Sequence, residues 1–480
     1  WIILYLEYPN QTIMDYRLLV PFMLLANQIT ATTWQVGPTR SYLYCSQVAP
    51  LVQDGDTVAI DFAVYVNDPQ VEWTANNLYI VGVGGRPRLE AGSIIANDIS
   101  NGKGIFVTSG AGITIENIEF ALAQVPDHNG AGIRQQGPDL QVLNCRFDGN
   151  EMGILAGNIS NCTTIIEYTE FLNGGSALNP GYQHNVYINH IDTLVFRYNY
   201  SHDAIAEGHE LKSRANYNFI EYNRIANETS VDSRTIDLPN GGTSVIVGNI
   251  VEQGPNSANS NLLGYGLEGL TNPAPHALYV AHNTFVNKKT TGSFIQLANG
   301  TDSLYLCNNI LAGAHTGGYL LGTPDVLDST GNMLADLVTD PGFVDPAVYD
   351  YQLQAGSSAR DHSSPLNKVV LGHSLDATLE YVDQCDHSIR PSDGIQDAGA
   401  FEYNSPVSIA GPVVQQLNPY PNPCTDRLIL QQAPSEEYEV LDASGRCLLS
   451  GNGNEVPTNR LSPGWYILKT KSGQSRFIRE

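Results

Sequence analysis

Glu221-Tyr-Asn-Arg-Ile225, Gly248-Asn-Ile-Val251, His282-Asn-Thr-Phe285 and Cys307-Asn-Asn-Ile310 are variants of one short theme, and their recurrence decides the fold. The theme also runs upstream, as Glu116-Asn-Ile-Glu-Phe120, Asn144-Cys-Arg-Phe147, Glu167-Tyr-Thr-Glu-Phe171 and Arg197-Tyr-Asn-Tyr200. Each copy belongs to an alternating apolar strand with a polar Asn or Gly turn. Aligned on Phe120, Phe147, Phe171, Tyr200, Ile225, Val251, Phe285 and Ile310, the copies stand 24 to 34 residues apart. A period in that range without helical periodicity makes each copy one coil of a solenoid, its apolar side chains stacked on those of adjacent coils. Asn223, Asn249, Asn283 and Asn308 share one phase, where stacked amides would join into a hydrogen-bonded ladder. A leucine-rich repeat would carry an LxxLxL signature, and a propeller would need longer repeats of four strands each. The pattern predicts an all-β chain built on a single-stranded right-handed parallel β-helix, starting near Trp34.

Coil length and ladder together resemble the pectate-lyase type of β-helix, the pectin lyase-like solenoid. Val58–Tyr65 and Leu78–Gly82 resemble the first coils of such proteins. After about residue 315 the period fades. Asp340-Pro-Gly-Phe-Val344, Tyr351–Ala359 and Asp397–Glu402 resemble the closing segment of bacterial β-helix proteins. Its expected task is to cover the open end of the solenoid, where unpaired strands invite aggregation.

The two ends of the chain read differently from its middle. Met14-Asp-Tyr-Arg17, the apolar run Leu18–Ala26 and Asn27–Ala31 have the layout of a secretory signal peptide. That makes residues 14–31 the expected signal, Met14 the expected start, and residues 1–13 an upstream gene-model extension. The apolar run is too short to span a membrane, and no other run approaches the needed length. The β-helix with its cap is expected over 34–403 and a linker over 404–418. In 419–480, short alternating strands broken by Gly/Pro turns predict a small antiparallel β-sandwich. Tyr420-Pro-Asn-Pro-Cys-Thr-Asp-Arg-Leu428, Tyr438–Arg446 and Leu461–Lys469 closely resemble the C-terminal sorting domain of type IX secretion cargo in Bacteroidota. This resemblance implies export across the outer membrane, followed by release or surface attachment.

The 480 residues carry a net charge of −25, with pI near 4.6 and only 15% charged side chains. Nucleic acid is excluded as a partner, because phosphate binding needs a basic face. An acidic polymer requires a cation or a local Lys/Arg cluster to bridge like charges. The seven cysteines show no CxxC spacing, which argues against a zinc site and against a disulfide framework.

Ionisable residues are densest on consecutive central coils. His184, His190, His202, Asp203, Glu207, His209, Glu210, Lys212, Arg214, Asp232, Arg234 and Asp237 fall within about two coils, and Tyr265 and Glu268 follow one coil later. Residues at one phase stack about 4.8 Å apart, so His184, His209 or Lys212, and Asp237 would line one groove suited to an elongated polymer. The chemistry that fits is β-elimination on a uronic acid. A base removes the proton beside the carboxylate while a cation neutralises the carboxylate. Lys212 is the expected base, activated by Arg214 or by burial, with His184 or His209 as alternatives and Tyr265 as the acid. Arg234, Asp237 and Glu268 would hold substrate, as would a second cluster containing Asp127, His128 and Arg134. Glu207, Glu210 and Asp203 would hold Ca²⁺, a hard cation that takes oxygen ligands.

Glu207-Gly-His-Glu-Leu-Lys212-Ser213, followed by Asn218, resembles the catalytic segment of the chondroitinase B and alginate lyase family. The resemblance implies Lys212 as base and Glu207 as a calcium ligand. Ile205 stands where that family has its other acidic ligand. Leu238-Pro-Asn-Gly241 stands where the family carries its catalytic arginine. The expected function is a secreted lyase acting on a uronic-acid-containing polysaccharide. A glycoside hydrolase using Asp203, Glu207 and Asp237 and a non-catalytic glycan-binding adhesin are the alternatives. The expected partners are an acidic polysaccharide and the type IX export machinery, with the chain itself monomeric and without a transmembrane segment.

Overall fold

The computed structural model describes residues 31–91 and 103–404, and in the C-terminal unit 419–420, 422, 424–430, 436–442, 446–470 and 474–479. Residues 1–30, which span the expected extension and the expected signal peptide up to its last residue, lie outside the described residues, as do 405–418. The chain divides into two compact units, residues 1–403 and 404–480.

In the first unit, strands of successive coils pair in parallel to build three sheets of 12, 11 and 10 strands. They are named A, B and C in the order in which each coil visits them. One central coil runs Thr193–Arg197 in A, Tyr200–His202 in B and Leu211–Ser213 in C, then re-enters A at Tyr217–Glu221. Alternate side chains point into the solenoid, so each inward position repeats as a row along the axis. Phe120, Phe147 and Phe171 form such a row in sheet B, with ring centroids 5.2 and 4.7 Å apart and nearly parallel planes. Ser201, Ile225, Val251, Phe285 and Leu311 continue it. Tyr200 and Ile310, aligned with that row from sequence, belong one residue away, pairing instead with Glu170 and Thr284.

The amide ladder is present and longer than expected. Asn199, Asn223, Asn249, Asn283, Asn309 and Asn332 are linked, each Nδ2 donating to the Oδ1 of the next at 2.9–3.1 Å. Asn308 is not a member. It sits one residue earlier with φ of 59°, at the phase where Asn117, Asn144, Tyr168, Tyr198, Tyr222 and His282 also take the left-handed conformation. Asn tolerates that conformation better than most residues, so the doublet Asn308-Asn309 fills two different positions.

The segment after residue 333 corrects another expectation. It folds back along the side of the solenoid instead of covering its end. Phe343, Tyr351, Leu353, Tyr381 and Phe401 pack on Ile250, Val286, Ile310 and Ala312 of sheet B. Val370, Leu375 and Ala377 pack beside Tyr198, Tyr222 and Val245. Val326, Leu327 and Leu334 of the last coil stay exposed. The later coils of sheet B are thereby covered, while the outward face of sheet C keeps a groove open.

The second unit holds two antiparallel sheets. One comprises 419–420, 427–430 and 455–457, the other 447–453, 436–441, 464–470 and 474–479. Leu428, Val440, Val456, Leu468 and Phe477 form their own core.

Candidate functional site

Register places Arg134, Leu155, Tyr187, Lys212, Asp237, Gly264 and Gln296 in one outward row across consecutive coils of sheet C. Their inward neighbours Val186, Leu211, Ile236 and Leu263 are fully buried, so the apolar alternation of each strand forces the polar positions onto the groove. Three residues before this row, on the turn entering sheet C, the rings of His184 and His209 stack at 4.8 Å and 11°. The chain reaches that turn through Asp203, Ala206 and Glu207, all at positive φ.

Lys212 and Arg214 are two residues apart and face the same side. Lys212 Nζ lies 2.6 Å from Glu268 Oε1 and 3.1 Å from Asp237 Oδ2. Arg214 Nη2 lies 2.5 Å from Glu268 Oε2. Arg214 is further fixed by donating from Nε to Tyr187 Oη at 3.0 Å and from Nη1 to Asn240 Oδ1 at 2.6 Å. Glu268 stands on the loop after Asn261–Tyr265, its backbone N–H bonded to Pro239 O. Partial burial works to raise its carboxyl, but hydrogen bonds from Lys212 and Arg214 prevail and hold it below the ordinary value. Asp237 is 2% exposed and also faces His209 Nε2 at 3.5 Å and Arg234 Nη1 at 3.6 Å. Gly264 makes room there: a methyl group on it would meet Arg234 Cδ at 2.8 Å and Asp237 Oδ1 at 3.0 Å.

Both histidines are neutral donors. Burial lowers His209 to about 4 against the pull of Asp237. His184 is pushed well below its ordinary value by burial and by neighbouring cations. The Nδ1 of His184 accepts the His209 backbone N–H, and that of His209 accepts the Arg234 backbone N–H, each at 3.1 Å. A neutral imidazole whose Nδ1 accepts carries its proton on Nε2. Neither ring therefore offers a free lone pair, which removes His184 and His209 as the alternatives to Lys212 for the base.

Tyr265 is also corrected. It is fully buried inside the solenoid, its hydroxyl donating to Gly242 O at 2.6 Å, and it cannot meet a substrate. The three carboxylates expected to bind Ca²⁺ do not fit that task, because they diverge. Glu207 is exposed on the turn. Glu210 is buried in the interior, accepting from Ala204 N and Asn185 Nδ2. Asp203 accepts the backbone N–H groups of Glu228, Thr229 and Ser230 and pairs with His202. Among the described residues no three His, Cys, Asp or Glu side chains converge as a metal site.

His128 lines the same groove as Tyr187, His184, Lys212, Arg214 and Glu268, a depression of about 480 Å³. Arg134 lies two coils below Tyr187 in the outward row, half-buried, with only a long 3.5 Å hydrogen bond to Leu155 O. Asp127, at the rim, pairs with Lys103. Arg234 is turned toward Asn261 and Asp237 at the far side of Lys212. The groove also contains residues given no role from sequence. Tyr187 and Asn240 orient Arg214, and Tyr182, 71% exposed, stands at the rim. The Tyr187-to-Lys212 spacing equals that of His184 to His209, so the coil period already carried the signal for Tyr187.

These features define a parallel β-solenoid with a polar, cation-bearing groove on one sheet. Among solved structures, the chain is similar to one described as the crystal structure of pectate lyase Pel9A. The TM-score is 0.51 at 12% sequence identity, covering 78% of this chain and 97% of that one. At that identity the likeness speaks to the fold, a right-handed parallel β-helix of the pectate-lyase type. Residues 418–480 match the family model described as a secretion system C-terminal sorting domain. No curated protein matches the sequence. The sorting domain supports secretion or attachment at the cell surface through the type IX machinery. Among the described residues no helix is long and apolar enough to cross a membrane.

Proposed function

We propose that the protein is a polysaccharide-active export product that binds a uronate polymer along the groove of sheet C and cleaves it by β-elimination. The observation that carries this reading is that the groove already seats a carboxylate: Lys212 and Arg214 each hold one oxygen of Glu268. A carboxylate seat of two cations resolves the conflict between an acidic protein and an acidic polymer.

In this mechanism Arg214, held in place by Tyr187 and Asn240, neutralises the uronate carboxylate and makes the adjacent carbon-bound proton removable. Lys212 and Arg214 both hold the carboxylate on binding. Lys212 then takes that proton as a free amine once its ammonium proton has gone to solvent, leaving Arg214 as the cation on the carboxylate. The C–H electron pair forms the ring double bond, and the bond from the neighbouring ring carbon to the bridging oxygen breaks. Tyr187 Oη supplies the proton that this oxygen takes up. His184 contributes an Nε2–H donor to a sugar hydroxyl.

The pairing of Lys212 with two carboxylates favours one second reading, a non-catalytic uronate-binding surface in which Lys212 stays an ammonium. A hydrolase using Asp203, Glu207 and Asp237 has no support, since only Asp237 faces the groove. Affinity chromatography on immobilised polygalacturonate, alginate, chondroitin and neutral dextran tests the shared claim. Wild type is expected to be retained on at least one uronate polymer and not on dextran, with Arg214→Ala losing about tenfold or more in affinity. Equal retention of wild type and variant, or retention on dextran alone, contradicts it.

A further inference from the structure

Glu268 is unusual among the groove residues. It is the most exposed member of its ion-pair network, at 45% for the side chain, yet both carboxylate oxygens are engaged by different cations. Its backbone is pinned by the bond to Pro239 O and by Gly269 N–H to Gly266 O. The side chain alone therefore reaches across to Lys212 and Arg214. The remaining partners of those two cations, Asp237, Tyr187 and Asn240, belong to sheet C or to the turn after it and are buried or half-buried. Removing the Glu268 side chain from between them would leave Lys212 with Asp237 and Arg214 with two neutral oxygens, while one bidentate anion site would open to the groove.

We propose that Glu268 is a built-in competitor that occupies the seat of the substrate carboxylate and is exchanged for it on binding. This rests on the uronate reading above and adds its specificity. A single charged sugar must displace a tethered carboxylate of equal charge, so it gains little. A polymer with several uronates engages neighbouring positions of the row at once, Arg134 among them, and gains by multivalency what the exchange costs. Glu268 thus makes the groove select polymers over monomers and uronates over neutral sugars. Because the empty seat is populated only in a fraction of molecules, the measured affinity is reduced by that fraction.

Glu268→Gln keeps the shape and removes the charge, so the seat opens while the loop bonds persist. With the full chain, inorganic sulfate is expected to raise the melting temperature of Glu268→Gln and to leave that of the wild type unchanged. On the polymer that retains the wild type, the variant is expected to bind about tenfold tighter and to bind free glucuronate measurably. If sulfate stabilises wild type and variant equally, or neither, the competitor role is overturned. The same holds if the variant binds polymer more weakly. Sulfate stabilisation of the variant alone, with every uronate polymer silent, upholds the exchange site and overturns the uronate reading instead.

Discussion

Arg214 draws its geometry from Tyr187, Asn240 and Glu268. Arg214→Lys would keep the charge but lose the planar fork that meets all three. If the protein is a lyase, this substitution is expected to lower kcat by about a hundredfold with a smaller change in KM, read from initial rates on the polymer it cleaves. An unchanged kcat would remove Arg214 from the chemistry. Tyr187→Phe is expected to lower kcat by about 10²-fold or more, as loss of an acid does. A second residue-scale expectation concerns Glu210 and Asp232, two buried carboxyls. Burial and then Asp232 raise Glu210 well above its ordinary value. Burial raises Asp232 to about 7, against hydrogen bonds from Ser257 and Asn227. The folded state thus holds protons that the unfolded chain releases above about pH 4, so this pair's contribution is complete at low pH and is lost as pH rises toward 7. Glu210→Gln with Asp232→Asn should flatten that decline in a series of melting curves from pH 4 to 7; an unchanged slope would contradict the assignment.

At the scale of the element, the asparagine ladder ties successive coils together through amides that are fully buried from Asn199 to Asn309. Asn249→Ala would leave the buried backbone N–H of Asn223 without its acceptor, with Asn223 Nδ2 keeping Phe196 O and Asn283 Oδ1 keeping the backbone N–H of residue 249. A buried unsatisfied group costs about 1–3 kcal/mol. A loss of about 1–3 kcal/mol in denaturant unfolding is expected, and an unchanged midpoint would contradict the ladder's structural role. The ladder was legible in the sequence because its coils repeat at near-constant spacing, but its phase failed at Asn308-Asn309, where two asparagines adjoin and only backbone conformation separates them. The sheet C row was partly legible for the same reason: Lys212 and Asp237 stand one coil apart. Tyr265 misled because its outward or inward phase depends on the register of Leu238 with Tyr265, which varying coil lengths hide. The calcium carboxylates misled because a positive-φ turn sends Asp203, Glu207 and Glu210 in three directions, and nothing in their spacing reveals that. The closing segment misled because a chain that covers a flank and one that covers an end present the same apolar residues.

For the whole molecule, the division of labour follows from separate cores. The solenoid with its lateral segment carries the groove, and the C-terminal unit has its own apolar core and the match to a sorting domain. A chain ending at Tyr403 is expected to fold and to keep the uronate binding of the full chain, while its export to the medium or cell surface falls away; loss of folding would show that the units depend on each other. The central claim is β-elimination in the sheet C groove. Its most direct measurement is the ratio of unsaturated ends, read by ultraviolet absorbance, to new reducing ends when the full chain is incubated with the uronate polymer it binds. One unsaturated end per reducing end, abolished in Lys212→Ala, is the predicted result. Reducing ends without absorbance, or absorbance that survives Lys212→Ala, would contradict it.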